Sequence, residues 1–379
     1  MKRAETNHHI DWINTLFLSL TPVVAASGLI WRLMDGGVHW ATWMMAFSLA
    51  VASGFGITAG YHRLFAHRSY EGSWPVRLLL LIFGASAFQN SAIKWCSDHR
   101  RHHRYTDRDG DPYNIQRGFW FAHMGWILRS EGPAIPLDNV PDLYRDRLVA
   151  LQHRFYLLVA VFAGFVLPAM LGALWGDFWG GLLVGGFLRM VTNHHFTFAI
   201  NSFCHWWGTQ PYSDRSSARD SWILAIFTYG EGYHNYHHEF QADYRNGIRF
   251  YHWDPTKWLI ASLAWVGLTR NLRRSNPRKV LMARLRMDEK RLLNRWNSSA
   301  ALEELTEMIN RSRARCEVAY ARYSVLRGEY ETLKVQRVAE VSLRIEELKR
   351  EIRGAQEEWR MAQQVWQNLL RAHLEPLPC

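Results

Sequence analysis

Histidine occurs in this sequence in a pattern that points to metal chemistry. Nine of its eighteen histidines fall in four short groups. His62 and His67 form HxxxxH, His99, His102 and His103 form HxxHH, and His234, His237 and His238 form a second HxxHH. His205 stands alone, four residues after Asn201. On an α-helix, residues i, i+3 and i+4 share a face. Each HxxHH is therefore expected to present three imidazoles to one point. HxxxxH does not share a face on an ideal helix, so His62 and His67 are expected where a helix ends and the chain bends around the site. A lone histidine is ordinarily a satisfied core or surface residue. Two triplets beside an HxxxxH exceed the needs of one ion and suit two first-row transition ions; imidazole serves Fe, Cu, Zn and Ni alike.

Other chemistries lose ground by elimination. The sequence has no HExxH of a zincin protease, no Walker loop and no GxGxxG. Cys96, Cys204, Cys316 and Cys379 form no CxxC pair and are expected as free thiols. A histidine-rich, redox-capable pair of metals beside apolar helices suits O2 activation and attack on an unactivated C–H bond of a greasy substrate. The histidines without a ligand pattern, His8, His9, His39, His123, His153, His194, His195, His252 and His373, are read as structural.

The elements that must hold these residues are bilayer-length apolar runs at about 12–33, 41–61, 155–175 and 178–193. A span of about 20 residues crosses a hydrocarbon core of about 30 Å. The turns at 34–40 and 176–177 lack Lys and Arg, whereas Lys2, Arg3, the stretch 63–154 and the region beyond 215 are basic. The positive-inside rule then gives four transmembrane helices in two hairpins, with both termini cytoplasmic. No cleaved signal peptide is expected. The histidines fall on the cytoplasmic side, in a helical cap. The runs at 78–93 and 258–268 are shorter and read as surface, re-entrant or buried helices. Arg189 lies inside the fourth run, so either it faces the bundle interior or that span is tilted and leaves the bilayer early.

The expected fold class is thus an all-α integral membrane protein: a membrane domain at 1–269 and a charged helical extension at 270–379. Mean hydropathy is only -0.22 because that extension dilutes the apolar spans. The nineteen Trp suit long membrane interfaces. The net charge of +11 lies beside the spans or among glutamates, which favours lipid headgroups and phosphorylated substrates over nucleic acid. In the extension a heptad runs through Val338, Val341, Ile345, Leu348, Ile352, Ala355, Trp359, Ala362, Trp366 and Leu369. It fits a helical hairpin, an oligomerising coil, or an amphipathic helix packed on its own domain.

Taken together, these segments resemble the membrane fatty-acyl desaturases of the acyl-CoA Δ9 (stearoyl-CoA) type over roughly 43–260. The resemblance rests on GITAGYHRLFAHRSY around His62 and His67, and on DHRRHHRYTDRDGDPYNIQRGFWFAHMGW at 98–126. It continues in NSFCHWWG with Asn201 and His205, GEGYHNYHHEF at 230–240, then DYR and DPTKW. It implies two iron ions held by His62, His67, His99, His102, His103, His205, His234, His237 and His238, with Asn201 reaching one iron through water. It also implies removal of two hydrogens from adjacent methylenes of a saturated acyl chain, with O2 leaving as water and two electrons supplied from outside.

By the same resemblance Asn90 and Trp95 line the substrate entrance, and Phe198 stands where animal members have Trp in the tunnel wall. The sequence departs from the family where animal members grip the CoA phosphates: Ser97, Ser130 and Glu131 replace basic residues. Arg100, Arg101, Arg104 and Arg129 are the basic residues at hand, and the carrier stays open among CoA, acyl-carrier protein and intact lipid. No HPGG marks a fused cytochrome b5, so a separate ferredoxin- or cytochrome-type donor with its reductase is expected. The extension is outside the family core and could dock that donor or form a homo-oligomer. The nearest rival is a di-iron acyl or alkane hydroxylase. A metal carrier or scaffold would want acidic or Met ligands along a path through the spans, and the spans show no such carboxylate path.

Overall fold

A computed structural model describes residues 8–131, 136–295, 301–336 and 341–374. Their regular structure is almost wholly helical, with only short two-stranded pairings. The chain divides into two compact units between Ser275 and Asn276.

The first unit begins with β1 (His8–Ile10), then α1 (Trp12–Met34), whose first turn is capped by the Asp11 carboxylate on Asn14 N–H at 3.0 Å. α2 (Trp40–Phe55) continues without a break into a π-helix (Gly56–Ala66). α3 (Trp74–Ala85) and α4 (Ala92–Tyr105) follow. The helix α5 (Tyr156–Ala173) carries a π-segment of its own. A helical stretch beginning at Phe178 leads into α6 (Arg189–Trp206). The short α7 (His234–Glu239) and α8 (Pro255–Trp265) complete the unit. β1 pairs antiparallel with β3 (Arg129–Glu131), and β2 (Glu71–Gly72) with β4 (Thr269–Arg270).

Three helices are long and apolar enough to cross a membrane: Trp12–Met34, Trp40–Ala66 and Tyr156–Ala173. They correspond to the first three expected spans. In the fourth run the apolar residues give way to Arg189, Asn193, His194 and His195 on a helix that continues to Trp206. The 78–93 run is divided between α3 and the start of α4.

Arg189 faces the interior and is 4% exposed. Its Nε donates to Gly185 O at 2.7 Å, Nη1 to Ser53 Oγ at 2.6 Å, and Nη2 to Ser86 O and Gly164 O at 3.1 and 3.2 Å. A guanidinium among apolar helices is expensive unless its N–H groups are met; here neutral oxygens from four segments meet them. At the far end of the hairpins, Asp177 accepts from Thr42 Oγ1 at 2.6 Å and pairs with Arg32 at 3.1 Å.

The second unit holds α9 (Pro277–Arg295), α10 (Ala301–Gln336) and α11 (Val341–Leu374). α10 and α11 form an antiparallel hairpin, tied by Arg322–Glu358 at 2.8 Å and Arg344–Glu329 at 3.0 Å. The heptad residues Leu348, Ala355 and Trp366 are buried within this hairpin and its contact with α9; Val338 lies outside the described residues. Cys96, Cys204 and Cys316 are buried free thiols, and Cys379 also lies outside the described residues.

Candidate metal centre

His62 and His67 come together for a reason their spacing hides. The chain does not bend between them; it is a π-helix, and His67 N–H donates to His62 O at 3.0 Å. A π-turn closes i to i+5, so HxxxxH is here one turn, and the two rings lie 4.7 Å apart. The wide helix is packed tightly on α3: a Cβ on Gly56 would sit 2.2 Å from Gly84 N. α4 brings His99, His102 and His103, α6 brings His205, and α7 brings His234, His237 and His238.

The nine rings form two groups rather than one. His62, His67, His99, His103 and His237 make the first; His102, His205, His234 and His238 make the second. Within each group the ligand atoms all lie within 4.8 Å of one another. The expectation that each HxxHH serves a single point is therefore corrected. The i and i+4 histidines of a triplet share a group, and the remaining member turns to the other. His99 and His103 stay together while His102 leaves; His234 and His238 stay together while His237 leaves. Each short helix thus lies between two centres and contributes to both.

Inside the groups Nε2 faces Nε2: His62 and His237 at 3.0 Å, His67 and His99 at 2.7 Å, His237 and His103 at 3.0 Å. In the second group His234 faces His205 at 3.0 Å and His238 at 3.1 Å, and His102 faces His238 at 3.3 Å. Four of the outward nitrogens lie close to oxygen. His62 Nδ1 lies 3.0 Å from Glu231 Oε2, and His102 Nδ1 lies 2.9 Å from Asp111 Oδ1. His99 Nδ1 is 3.2 Å from the Tyr113 hydroxyl, and His205 Nδ1 is 2.7 Å from Ser217 Oγ, which itself donates to Asp107 at 2.6 Å. An imidazole that donates Nδ1–H outward leaves a bare lone pair on Nε2. Several such lone pairs converging in a buried site repel one another unless a cation lies between them. The donor set fits two imidazole-loving transition ions, and its outer oxygens are the partners such ligands ordinarily have.

The electrostatics agree. Burial, reinforced by neighbouring imidazoles, holds His99, His103, His205, His237 and His238 well below the ordinary histidine range, and His234 at about 3. All are therefore neutral at physiological pH, as metal ligation requires. Burial alone would raise the Glu231 carboxyl, but His62 and Arg63 outweigh it and hold it at about 2. Arg63, 1% exposed, donates to Glu231 at 2.8 Å and lies 3.0 Å from Asp254.

Glu231, Arg63, Asp111, Tyr113 and Ser217 were not among the residues expected from the sequence. Glu231 and Asp111 sit inside the histidine-bearing segments, three residues before His234 and nine after His102, which was a usable signal. Ser217 lies in a loop with no pattern of its own.

Of the other expected site residues, Asn201 is half-buried on α6, one turn before His205. Trp95 stacks on His99 at 4.9 Å. Phe198 is buried and stacks on His194 at 5.6 Å. Asn90 is exposed, in the left-handed region at φ 72°, and its N–H donates to Tyr156 Oη at 3.1 Å. Arg100 is tied to Asp142 by two bonds of 2.7 and 2.8 Å and also donates to Phe65 O, Ala66 O and Asn139 O. Arg101 reaches Asp138 at 3.0 Å, whereas Arg104 and Arg129 are exposed. A narrow gap lies between α2 with its π-extension and α6, lined by Gly54, Ile57, Thr58, Asn193, Thr197 and Tyr229 among others.

An all-helical fold with apolar helices beside two buried histidine groups defines a membrane-associated candidate metalloprotein. The chain belongs to the fatty acid desaturase family, whose profile, described as "Fatty acid desaturase", matches residues 38–271. It is 41% identical over 306 residues to a "Probable acyl-CoA desaturase" of Schizosaccharomyces pombe, covering 79% of this chain and 63% of that protein. It is 39% identical over 291 residues to "Acyl-CoA desaturase 1" of Saccharomyces cerevisiae, covering 76% and 56%. It is 37% identical over 278 residues to "Delta(9)-fatty-acid desaturase fat-7" of Caenorhabditis elegans, covering 70% and 80%. The chain thus spans less than two thirds of the length of the two fungal relatives.

Proposed function

We propose that this protein is an O2-dependent fatty acyl desaturase that places a cis double bond, at Δ9, in a saturated chain carried as a CoA thioester. The observation that carries this reading is the pair of buried histidine groups with their Nε2 atoms converging. The relatives' names add the substrate class and the Δ9 position. Two iron ions, held by the first group of five histidines and the second of four with Asn201 acting through water, would supply the O2-activating redox chemistry when bound. The overall change balances as one –CH2–CH2– unit, O2, two electrons and two protons giving –CH=CH– and two waters.

The protein's own residues do the rest. Glu231, Asp111, Tyr113 and Ser217 fix four imidazoles by their Nδ1 atoms, so the ligands need no reorganisation. An apolar tunnel beside the histidine groups would hold the chain and exclude water. Binding along the chain then converts regiochemistry into a distance from the polar head to the histidine groups. Asn90 and Trp95 stand at the entrance, and Arg101, Arg104 and Arg129 are the basic groups for the CoA phosphates. The membrane domain, taken as 1–269, crosses the bilayer four times with both termini and the histidine cap on the cytoplasmic side. Electrons come from a separate ferredoxin- or cytochrome-type donor and its reductase, and the extension from 270 serves donor docking or a homo-oligomer.

The test is fatty-acid analysis of a host expressing the chain against His234→Ala, with iron content measured on the purified proteins. A new Δ9 monoene only with the wild type, together with bound iron, is the expected result. Chains gaining one oxygen instead would move the reading to a hydroxylase. A protein that binds no iron would sink both.

A further inference from the structure

The segment that follows α4 touches three of the nine imidazoles, and they belong to both groups. It leaves the helix at Thr106 and closes a tight loop by Asn114, with Arg108, Asp109 and Gly110 exposed and Asp111, Tyr113 and Asn114 buried. Asp107 carries the first contact. Its carboxylate accepts from Ser217 N–H and from Ser217 Oγ, both at 2.6 Å, and Ser217 Oγ lies 2.7 Å from His205 Nδ1. Asp111 carries the second, with Oδ1 2.9 Å from His102 Nδ1. Tyr113 carries the third: its hydroxyl is 3.2 Å from His99 Nδ1 in the first group, while its ring stacks on His102 of the second at 4.4 Å. The three side chains are tied to one another through Asp111, whose Oδ2 accepts from Asp107 N–H at 3.1 Å and whose Oδ1 accepts from Tyr113 N–H at 3.2 Å. Asp107 holds φ 63°, in the left-handed region. A residue other than glycine stays there where its surroundings over-determine it, and here both its amide and its carboxylate are engaged.

Resting on the two-ion reading above, we propose that the loop 106–114 couples the two histidine groups, so that they take up and release their ions together, with Asp107 and Tyr113 as the positioning residues at its two ends. Fixing His99 around an ion fixes the Tyr113 hydroxyl. Through Asp111 the same loop then holds His102, and through Asp107 and Ser217 it holds His205. The loop's tip is exposed, so the core does not order it. The cost of ordering it falls on whichever ion binds first, and the second ion meets rings already held, which is positive coupling. Two dications in neighbouring groups repel and oppose this. Glu231 at the first group and Asp107 and Asp111 at the second are the carboxylates that offset the repulsion. Joint uptake prevents a half-filled centre, with one redox ion where the reaction needs a pair.

The experiment dialyses the purified full-length protein against a series of free Fe2+ concentrations without O2 and counts iron per chain; melting of the iron-free protein checks the fold. The wild type should pass from two ions to none in one step. Asp107→Asn keeps the volume and tolerates the left-handed backbone, but turns an amide N–H toward a Ser217 donor. Tyr113→Phe keeps the ring and loses the hydroxyl. The first change reaches a ligand of the second group, and the second change a ligand of the first. Each should nevertheless shift the release of both ions together, to free Fe2+ about 10–100-fold higher. The double variant should go little beyond the larger single shift, as residues acting through one network do. If Asp107→Asn fails to fold, Asp107→Gly, which accepts φ 63° and removes the carboxylate, takes its place. Single variants that each lose one ion while the other stays at wild-type affinity, with the double losing both, would overturn the coupling and leave the metal reading standing. Unshifted release in both variants would overturn it as well. A wild type that binds no iron would sink the coupling together with the reading beneath it.

Discussion

Glu231 grips His62 through one carboxylate oxygen, 3.0 Å from its Nδ1, while its other oxygen accepts from Arg63 at 2.8 Å. Two consecutive residues of the π-helix are thus anchored to one side chain just ahead of the second HxxHH. The carboxylate orients the ring and Arg63 orients the carboxylate, which is also met by Asn246 at 2.5 Å. Glu231→Gln keeps the volume and leaves Arg63 its contact with Asp254, so the fold should survive. Loss of an outer partner of this kind typically costs 10–100-fold in metal affinity. Iron retained after equilibrium dialysis over a range of free Fe2+ should fall accordingly; unchanged retention would show that His62 needs no such orienter.

How far this site was legible follows from where its determinants lie. The nine histidines that gather here were readable because HxxHH is a local pattern and α4 and α7 are helices. The partition into two groups was not, since which ring turns to which neighbour depends on how α4, α6 and α7 approach. Nor was the π-turn joining His62 to His67, because a shift of hydrogen-bond register leaves no mark in residue types. Arg189 was visible as an anomaly, but its neutral partners come from Ser53, Ser86, Gly164 and Gly185, none conspicuous alone. The heptad through Leu348 and Trp366 announced a helical seam; that α9 and α10 supply its partner needed the fold, since the same seam could have faced a second chain.

Arg100 and Arg104 should separate cleanly on mutation. Every N–H of Arg100 has an acceptor on Phe65, Ala66, Asn139 or Asp142. Arg100→Met strands those oxygens and should cost about 2–3 kcal/mol, read as a lower melting temperature in detergent. Arg104 is exposed and lies over the Tyr105 ring at 5.3 Å. Arg104→Ala should leave melting unchanged and raise KM for an acyl-CoA. An Arg104→Ala enzyme with unaltered KM would remove it from the phosphate-binding set.

His123 should make the fold acid-sensitive. Burial first, then His195 at 3.2 Å, lower it to about 4 from the ordinary value near 6.5. Between those values the unfolded chain binds a proton that the folded one does not, so stability rises with pH across this window and is lost on acidification through it. The check is the melting temperature of iron-free protein from pH 4 to 7, wild type against His123→Gln. The variant should show a flatter slope; parallel curves would mean that His123 contributes nothing to the acid response.

Trp366 tests whether the two units stand independently. It is 2% exposed, packs with Leu285, Leu292, Ile309 and Cys316 from α9 and α10, and its Nε1 donates to Asp288 at 3.3 Å. Truncating a buried Trp to Ala costs about 3–5 kcal/mol, a large share of the stability of a bundle this size. No histidine of either metal group lies in that unit. Trp366→Ala should therefore abolish or sharply lower one thermal transition while a second, associated with iron release, stays where it was. If iron retention falls together with the helical bundle, the metal-binding unit depends on the extension for its own stability.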